Sequence, residues 1–305
     1  MEGRPQDAMT VGLIHFMAYP ETMKGEGPVV ETVRAICEDD YFGAIEVTTV
    51  TDAAARKEAI EMTRRAGMKV GFGAQPILLG AKLNLNATDF RTRRAAVDRV
   101  LSAMEEANEW EAEGLAVLSG VDPGEEDREK EKGYLTASIK ELCEHARGHR
   151  MPPVLLETFD RVGFGKNCLI GPTIEAAEVA ANVMTYYPTF GLMLDLSHLP
   201  LLEETPEEAL KTAASYLKHV HIGNCVKRDA GHPAYGDNHP MFGIPEGENG
   251  VEELAEFLRV LIEIGYVAPG KNSIVSFEVK PYGDQSSEEV IANAKEALDA
   301  AWKAL

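Results

Sequence analysis

Four residues in the second half of the chain have the types and placement to do chemistry together. Glu157, Asp195, His221 and Glu278 each close an apolar run, in VLLE, LMLD, KHVH and SFE. A carboxylate in such a run is costly to bury unless it is paired or bound to a metal. Three carboxylates and one imidazole form a hard, oxygen-rich donor set suited to a divalent metal, Mn2+ first, with Mg2+ or Co2+ as alternatives. The set contains no thiolate, which argues against structural zinc. His198 follows Asp195 by three residues in DLSH, where it would meet substrate rather than metal. His219 shares a strand face with His221 and reads as a packed residue. His15 and Glu46 close earlier runs and could face the same mouth.

Such residues converge only if the runs lie side by side and point the same way. Eight β-rich segments recur, at 11–16, 44–50, 69–74, 115–119, 153–158, 191–196, 219–223 and 274–280. Most are continuously apolar, as parallel strands covered by helices are. Helical patterns at 29–40, 52–66, 90–112, 134–147 and 173–187 separate them. Capping boxes start two more helices, at Thr205-Pro206-Glu207-Glu208 and Ser286-Ser287-Glu288-Glu289. Leu254, Phe257, Leu258, Leu261 and Ile262 make an apolar stripe that Gly265 ends. Residues 121–133 read as a charged, solvated loop. This alternation predicts an α/β fold, a (β/α)8 TIM barrel in a single domain over 11–305, after a polar tail at 1–10. The active site of such a barrel lies at the C-terminal ends of its strands, where the four residues fall. A doubly wound sheet would call for a Gly-rich phosphate turn, and neither G-x-G-x-x-G nor G-x-x-x-x-G-K-[ST] occurs.

The composition narrows the partners. The 305 residues carry 50 Asp+Glu against 30 Lys+Arg, a net charge of −20. That field repels nucleic-acid backbones and anionic lipid, so neither partner is expected. Four cysteines without a Cys-x-x-Cys pair, and no leader-like apolar run at residues 1–10, suit a cytoplasmic protein. Apolar runs fall short of the roughly 18–20 residues that span a bilayer.

The words VLLETFD, LMLDLSHLP, KHVHIGN and SFEVKP, in this order, resemble the xylose isomerase-like sugar phosphate isomerase/epimerase superfamily. The resemblance implies a divalent ion holding adjacent oxygens of a keto-sugar. Glu157 and Glu278 would then be ligands and also the acid/base pair, taking a proton α to the carbonyl. Asp195 and His221 would complete the ligand set, and His198 would bind substrate oxygens. A metal on the carbonyl oxygen stabilises the developing enediolate. Bases on two faces permit epimerisation, whereas one base favours 1,2-isomerisation.

The chain also departs from the ketose 3-epimerases it resembles. Gly163 stands where they carry a second glutamate, and Lys227, followed by Arg228, where they carry an arginine, which is no conservative change at a planar fork. The long loop at 226–250 reads as a lid or binding loop. Its HPAYGDNHPMFG is similar to an insertion of C-glycoside deglycosidase large subunits, lyase-type barrels that act on 3-oxo-glycosides with a small β-rich partner. Lys227, His232 and His239 would then contact substrate. Arg161, Lys166, Lys227 and Arg228 could hold a phosphate or carboxylate at the rim. A small-molecule sugar or glycoside is the expected partner, in a homo-oligomer or, for a deglycosidase, a hetero-oligomer with a small subunit. The barrel also resembles apurinic endonucleases with trinuclear zinc, against which stand the charge and a single ligand set. A metal-free binding barrel is the remaining alternative.

Overall fold

The structure is a computed structural model and describes residues 3–161 and 163–305. Eight strands, β1 (Thr10–Ile14), β2 (Ala44–Val47), β3 (Lys69–Gly73), β4 (Gly114–Leu118), β5 (Val154–Glu157), β6 (Gly191–Asp195), β7 (Leu217–Gly223) and β8 (Ile274–Glu278), close in chain order into one parallel barrel. Pairing of β1 with both β2 and β8 completes the ring. Eleven α-helices are described: α1 (His15–Ala18), α2 (Val29–Cys37), α3 (Ala53–Ala66), α4 (Gln75–Gly80), α5 (Phe90–Glu109), α6 (Glu125–His149), α7 (Thr173–Met184), α8 (Leu199–Leu202), α9 (Pro206–Ala213), α10 (Val251–Glu263) and α11 (Ser287–Lys303). The main core lies between the strands and the outer helices, as the continuously apolar runs require.

Local signals set the helix ends. Asp52 accepts from two amides at the start of α3, and Asp89 caps α5 through the Thr92 amide at 2.8 Å. The boxes at Thr205 and Ser286 form with both reciprocal bonds. Helix α6 corrects the sequence reading, for it begins at Glu125, inside the segment read as a loop. Its first turns carry no apolar stripe to announce them. They are held by Glu125, Glu126 and Asp127 at the positive end of the helix dipole and by side-chain pairs such as Lys132 with Glu129, 2.7 Å apart. Ala8 and Met9, read as tail, are buried in the core.

Inside the barrel, Ala116, Leu155 and Met193 form a small cluster separate from the outer core. Below it, at the N-terminal ends of the strands, Gly71 and Gly114 leave a cavity of about 300 Å3 bordered also by Glu46 and His219. Among the described residues, no helix is long and apolar enough to cross a membrane.

Candidate active site

The ends of β5 to β8 bring together the four residues marked in the sequence. Donor atoms of Glu157, Asp195, His221 and Glu278 all lie within 4.8 Å of one another, and all four residues are buried. The register sets Asp195 level with His221, and Gly223 beside Glu278. His221 Nδ1 lies 2.9 Å from Glu278 Oε2 and 3.3 Å from Glu157 Oε1. Gln75, at the start of α4, donates to Glu157 Oε2 at 2.6 Å. The Ser197 amide and hydroxyl donate to the two Asp195 oxygens at 2.8 and 2.6 Å. Despite these short distances, Glu157 Oε1 and His221 Nδ1 are buried without a hydrogen bond of proper geometry. Such orphaned atoms are rare in folded proteins unless a ligand takes them up. Three carboxylates and one imidazole with orphaned, converging atoms fit a divalent cation, and these four residues would hold it.

Glu46 organises the cluster from behind. It receives His221 Nε2 at 3.0 and 3.1 Å and His219 Nε2 at 2.7 Å. Burial alone would raise its pKa, but the two imidazoles hold it well below the carboxylate range. Burial would lower His221, yet Glu46 first, then Glu157 and Glu278, raise it well above an ordinary histidine. A cation would displace the Nδ1 proton and leave Glu46 behind Nε2–H, the arrangement that orients metal-binding histidines. Neighbouring β3 makes room for it, since a Cβ at Gly71 would stand 2.9 Å from Glu46 Cγ.

A second buried network adjoins the first. His198 Nδ1 faces the Thr158 carbonyl at 2.7 Å, and its Nε2 lies 3.0 Å from Asp237 Oδ1. His239 Nε2 lies 2.8 Å from that oxygen and 3.2 Å from Glu278 Oε1. Lys166 Nζ reaches Asp237 Oδ2 at 3.0 Å. Burial would raise Asp237, but Lys166, His198 and His239 hold it well below its usual value. Burial would lower His198, but Asp237 and Asp195 raise it well above. His239 takes a left-handed backbone, φ 53°, a conformation non-glycine residues seldom adopt. It is fixed by Tyr282, which donates to the Asn238 carbonyl at 2.6 Å, and by the Lys280 amide, which donates to the His239 carbonyl at 2.8 Å. The sequence reading counted a single ligand set. The structure instead assembles three overlapping groups with metal-binding atoms, the others being Glu46/His219/His221 and Asp195/His198/His239.

The remaining expectations divide. His198 and His239 join the site. Lys227 does not line the cleft and pairs with Glu203 at 3.1 Å, and His232 caps a turn by accepting from the Ala234 amide at 3.0 Å. His15 points away from the mouth, with Nε2 2.7 Å from Thr32 Oγ1, and Gly163 is exposed. Gln75, Asp237 and Lys280 were assigned no role from the sequence. Asp237 and His239 have a D-x-H spacing, and Lys280 lies two residues beyond Glu278, both of which could have marked them.

Above the cluster opens a cleft of about 560 Å3. One side is polar, with Lys166, Asp237, Asn238, His239 and Lys280, and the other is apolar, with Phe16, Met17, Met23, Pro76, Ile77 and Leu79. Its volume is within the roughly 300–1,000 Å3 typical of small-molecule sites.

A closed barrel with polar residues gathered at the strand ends defines an enzyme-like (β/α)8 site. Residues 35–301 match the family model of the xylose isomerase-like TIM barrel, and the chain belongs to that family. Among solved structures it is similar to L-ribulose 3-epimerase, with a TM-score of 0.71 and 15% identity over 97% of this chain and 96% of that one. It is also similar to the IolI protein with a bound zinc atom, at TM-score 0.69 and 19% identity over 97% and 99% of the two chains. The 3-keto-D-glucoside 4-epimerase YcjR from E. coli follows at TM-score 0.67 and 15% identity over 97% and 99%. A search of curated proteins finds no match.

Proposed function

We propose that the chain is a divalent-metal-dependent sugar isomerase or epimerase that removes and returns a proton α to the carbonyl of a keto-sugar. One observation carries this reading. Two glutamates, Glu157 on β5 and Glu278 on β8, converge on one imidazole from strands separated by β6 and β7, at the floor of a cleft. Epimerisation needs a proton acceptor and a proton donor on opposite faces of one carbon, and paired carboxylates provide both. Similarity to sugar epimerases supports the class of substrate.

The ion, when bound by Glu157, Asp195, His221 and Glu278, supplies Lewis-acid polarisation of the carbonyl. The chain's own residues do the rest. Gln75 donates to one oxygen of Glu157 and so fixes the plane in which this carboxylate faces the cluster and the cleft. Glu278 stands ready to donate or accept on the far side. His198, His239 and Lys166 gather N–H donors around Asp237, where sugar hydroxyls can exchange with the existing bonds. The apolar wall excludes water from the reacting carbon.

A second reading keeps the proton abstraction and changes the outcome. In it the enolate of a 3-oxo-glycoside expels its aglycone, which makes the protein a lyase. The six apolar residues of the cleft wall favour it, since a free hexose offers little for them to cover.

Proton NMR in D2O decides between these readings. Mg2+-loaded protein is given free ketoses and 3-oxo-glycosides, with Glu157→Gln as control. Deuterium entering a ketose as a second sugar appears supports the isomerase or epimerase. Aglycone release from the 3-oxo-glycosides alone supports the lyase. Wild-type turnover that Glu157→Gln leaves intact would overturn both.

A further inference from the structure

The bases that the sequence marked at the rim are all neutralised. Arg161 makes two bonds to Glu175, at 2.8 and 2.7 Å, Lys227 pairs with Glu203 at 3.1 Å, and Arg228 pairs with Glu248 at 2.8 Å. Lys166 enters the cleft but is taken by Asp237 at 3.0 Å. The other cations of the cleft are Lys24, Arg99 and Lys280. Among the described residues none of these three has a carboxylate partner in ion-pair contact. Lys280 is the telling one. It is half-buried two residues past the end of β8, lines the cleft, and its ammonium lies 5.4 Å from the centre of the Tyr282 ring. The nearby Asp237 is already shared by Lys166, His198 and His239. Two ammonium groups thus stand on the polar side of the cleft beside Asp237, which is in ion-pair contact with Lys166 alone of the two, while Glu157 and Glu278 belong to the cluster at its floor.

A chain with a net charge of −20 has carboxylates in excess, yet gives Lys280 none in ion-pair contact, only the field of an Asp237 already engaged elsewhere. A half-buried ammonium without a counter-ion is unfavourable in the empty protein and favourable when a ligand supplies the charge. We propose that Lys280, with Arg99 and Lys24 at the outer rim, binds an anionic group, a carboxylate or phosphate, at the outer end of the substrate. This assignment rests on the reading of the cleft as the keto-sugar site and names the class within it, an acidic keto-sugar rather than a neutral one.

Three ketoses that differ only at C6 test it: D-fructose, D-fructuronate and D-fructose 6-phosphate. Their dissociation constants for Mg2+-loaded protein are measured by calorimetry at low and high salt, with metal content measured separately. A charge-assisted contact predicts that at least one anion binds about tenfold tighter than fructose, with the preference shrinking in salt. The fructuronate and fructose 6-phosphate arms tell carboxylate from phosphate. In Lys280→Met the preference should collapse, and in Lys280→Arg it should persist. Circular dichroism of both variants guards against misfolding, and Arg99→Gln provides a milder second test. Equal binding of all three sugars, binding of none, or a preference that survives Lys280→Met would overturn the proposal. Loss of metal with the anion preference intact would instead sink the metal-dependent reading alone.

Discussion

The two halves of the barrel are built on different terms. Strands β5 to β8 end in Glu157, Asp195, His221 and Glu278, and almost every hydrogen bond near the cluster involves them or the loops after them. Strands β1 to β4 turn small residues inward, Gly71, Gly73, Gly114 and Ala116 among them, and follow them with the apolar wall of the cleft. The first half contributes Glu46 and Gln75, and neither belongs to the four-residue ligand set: one stands behind His221, the other behind Glu157. The difference teaches a division of labour. One half holds the reacting groups, and the other gives them room, orientation and a dry surface.

The sharpest break would come from the second half. Glu157→Gln should lower turnover of any accepted sugar by about 10²–10⁴-fold, the usual contribution of a positioned acid or base. Steady-state rates and metal content measured together would check this, and a loss below about tenfold would deny Glu157 its role.

The first half should dominate the response to acid. Burial lowers the His15 pKa to about 4 from an ordinary 6.5. A histidine depressed in the folded state stabilises above its unfolded pKa, and that contribution is lost as pH falls from about 6.5 to 4. The second half behaves otherwise in this window. His198, raised well above its ordinary value, keeps its contribution until pH rises through that raised value. Asp237, depressed, keeps its own until pH falls through its lowered value. Urea unfolding should therefore show a loss of about 3 kcal/mol between pH 7 and 4 that His15→Gln largely removes. An unchanged slope in that variant would place the acid sensitivity elsewhere.

Glu46 tests whether the halves are truly separate. Glu46→Gln should leave the fold intact and weaken Mn2+ binding about 10–100-fold, as the loss of a carboxylate behind a ligating histidine does. Gly71→Ala should act in the same direction by crowding the Glu46 side chain. Chelator competition measures both, and full affinity in Glu46→Gln would reduce the residue to packing. The smallest effect belongs to the wall. Ile77→Ala should weaken an aromatic 3-oxo-glycoside by about three- to tenfold, from lost apolar contact, and a free ketose less. Equal weakening of both would remove the wall as a reason to favour glycosides.

The same division explains what could be read in advance. The eight strands are legible as apolar runs, and the four residues of the cluster because three acids and a histidine break that local pattern. Glu46 violates it too, but its partners His219 and His221 lie far along the chain, so its role is a matter of closure rather than of local sequence. Gln75 and Asp237 sit in segments without periodicity, and only the folded loop brings Asp237 against His198. Lys227 draws attention in the sequence because it stands at the position of a family arginine, and Lys280 carries no such mark. In the fold Lys280, two residues past the end of β8, lines the cleft, and Lys227 does not. The start of α6 escaped because solvated charge, not an apolar stripe, holds it.

Glu46 borders both hollows of the barrel, and with Ala116, Leu155 and Met193 it divides the base cavity from the cleft. With that partition shut, the barrel is a vessel with one opening, and its contents obey a last-in, first-out order. A sugar in the cleft then acts as a stopper over whatever lies on the floor. Stripping of Mn2+ by a chelator should slow when a bound sugar saturates the protein, and Glu46→Ala, by opening the base, should give the ion a back door.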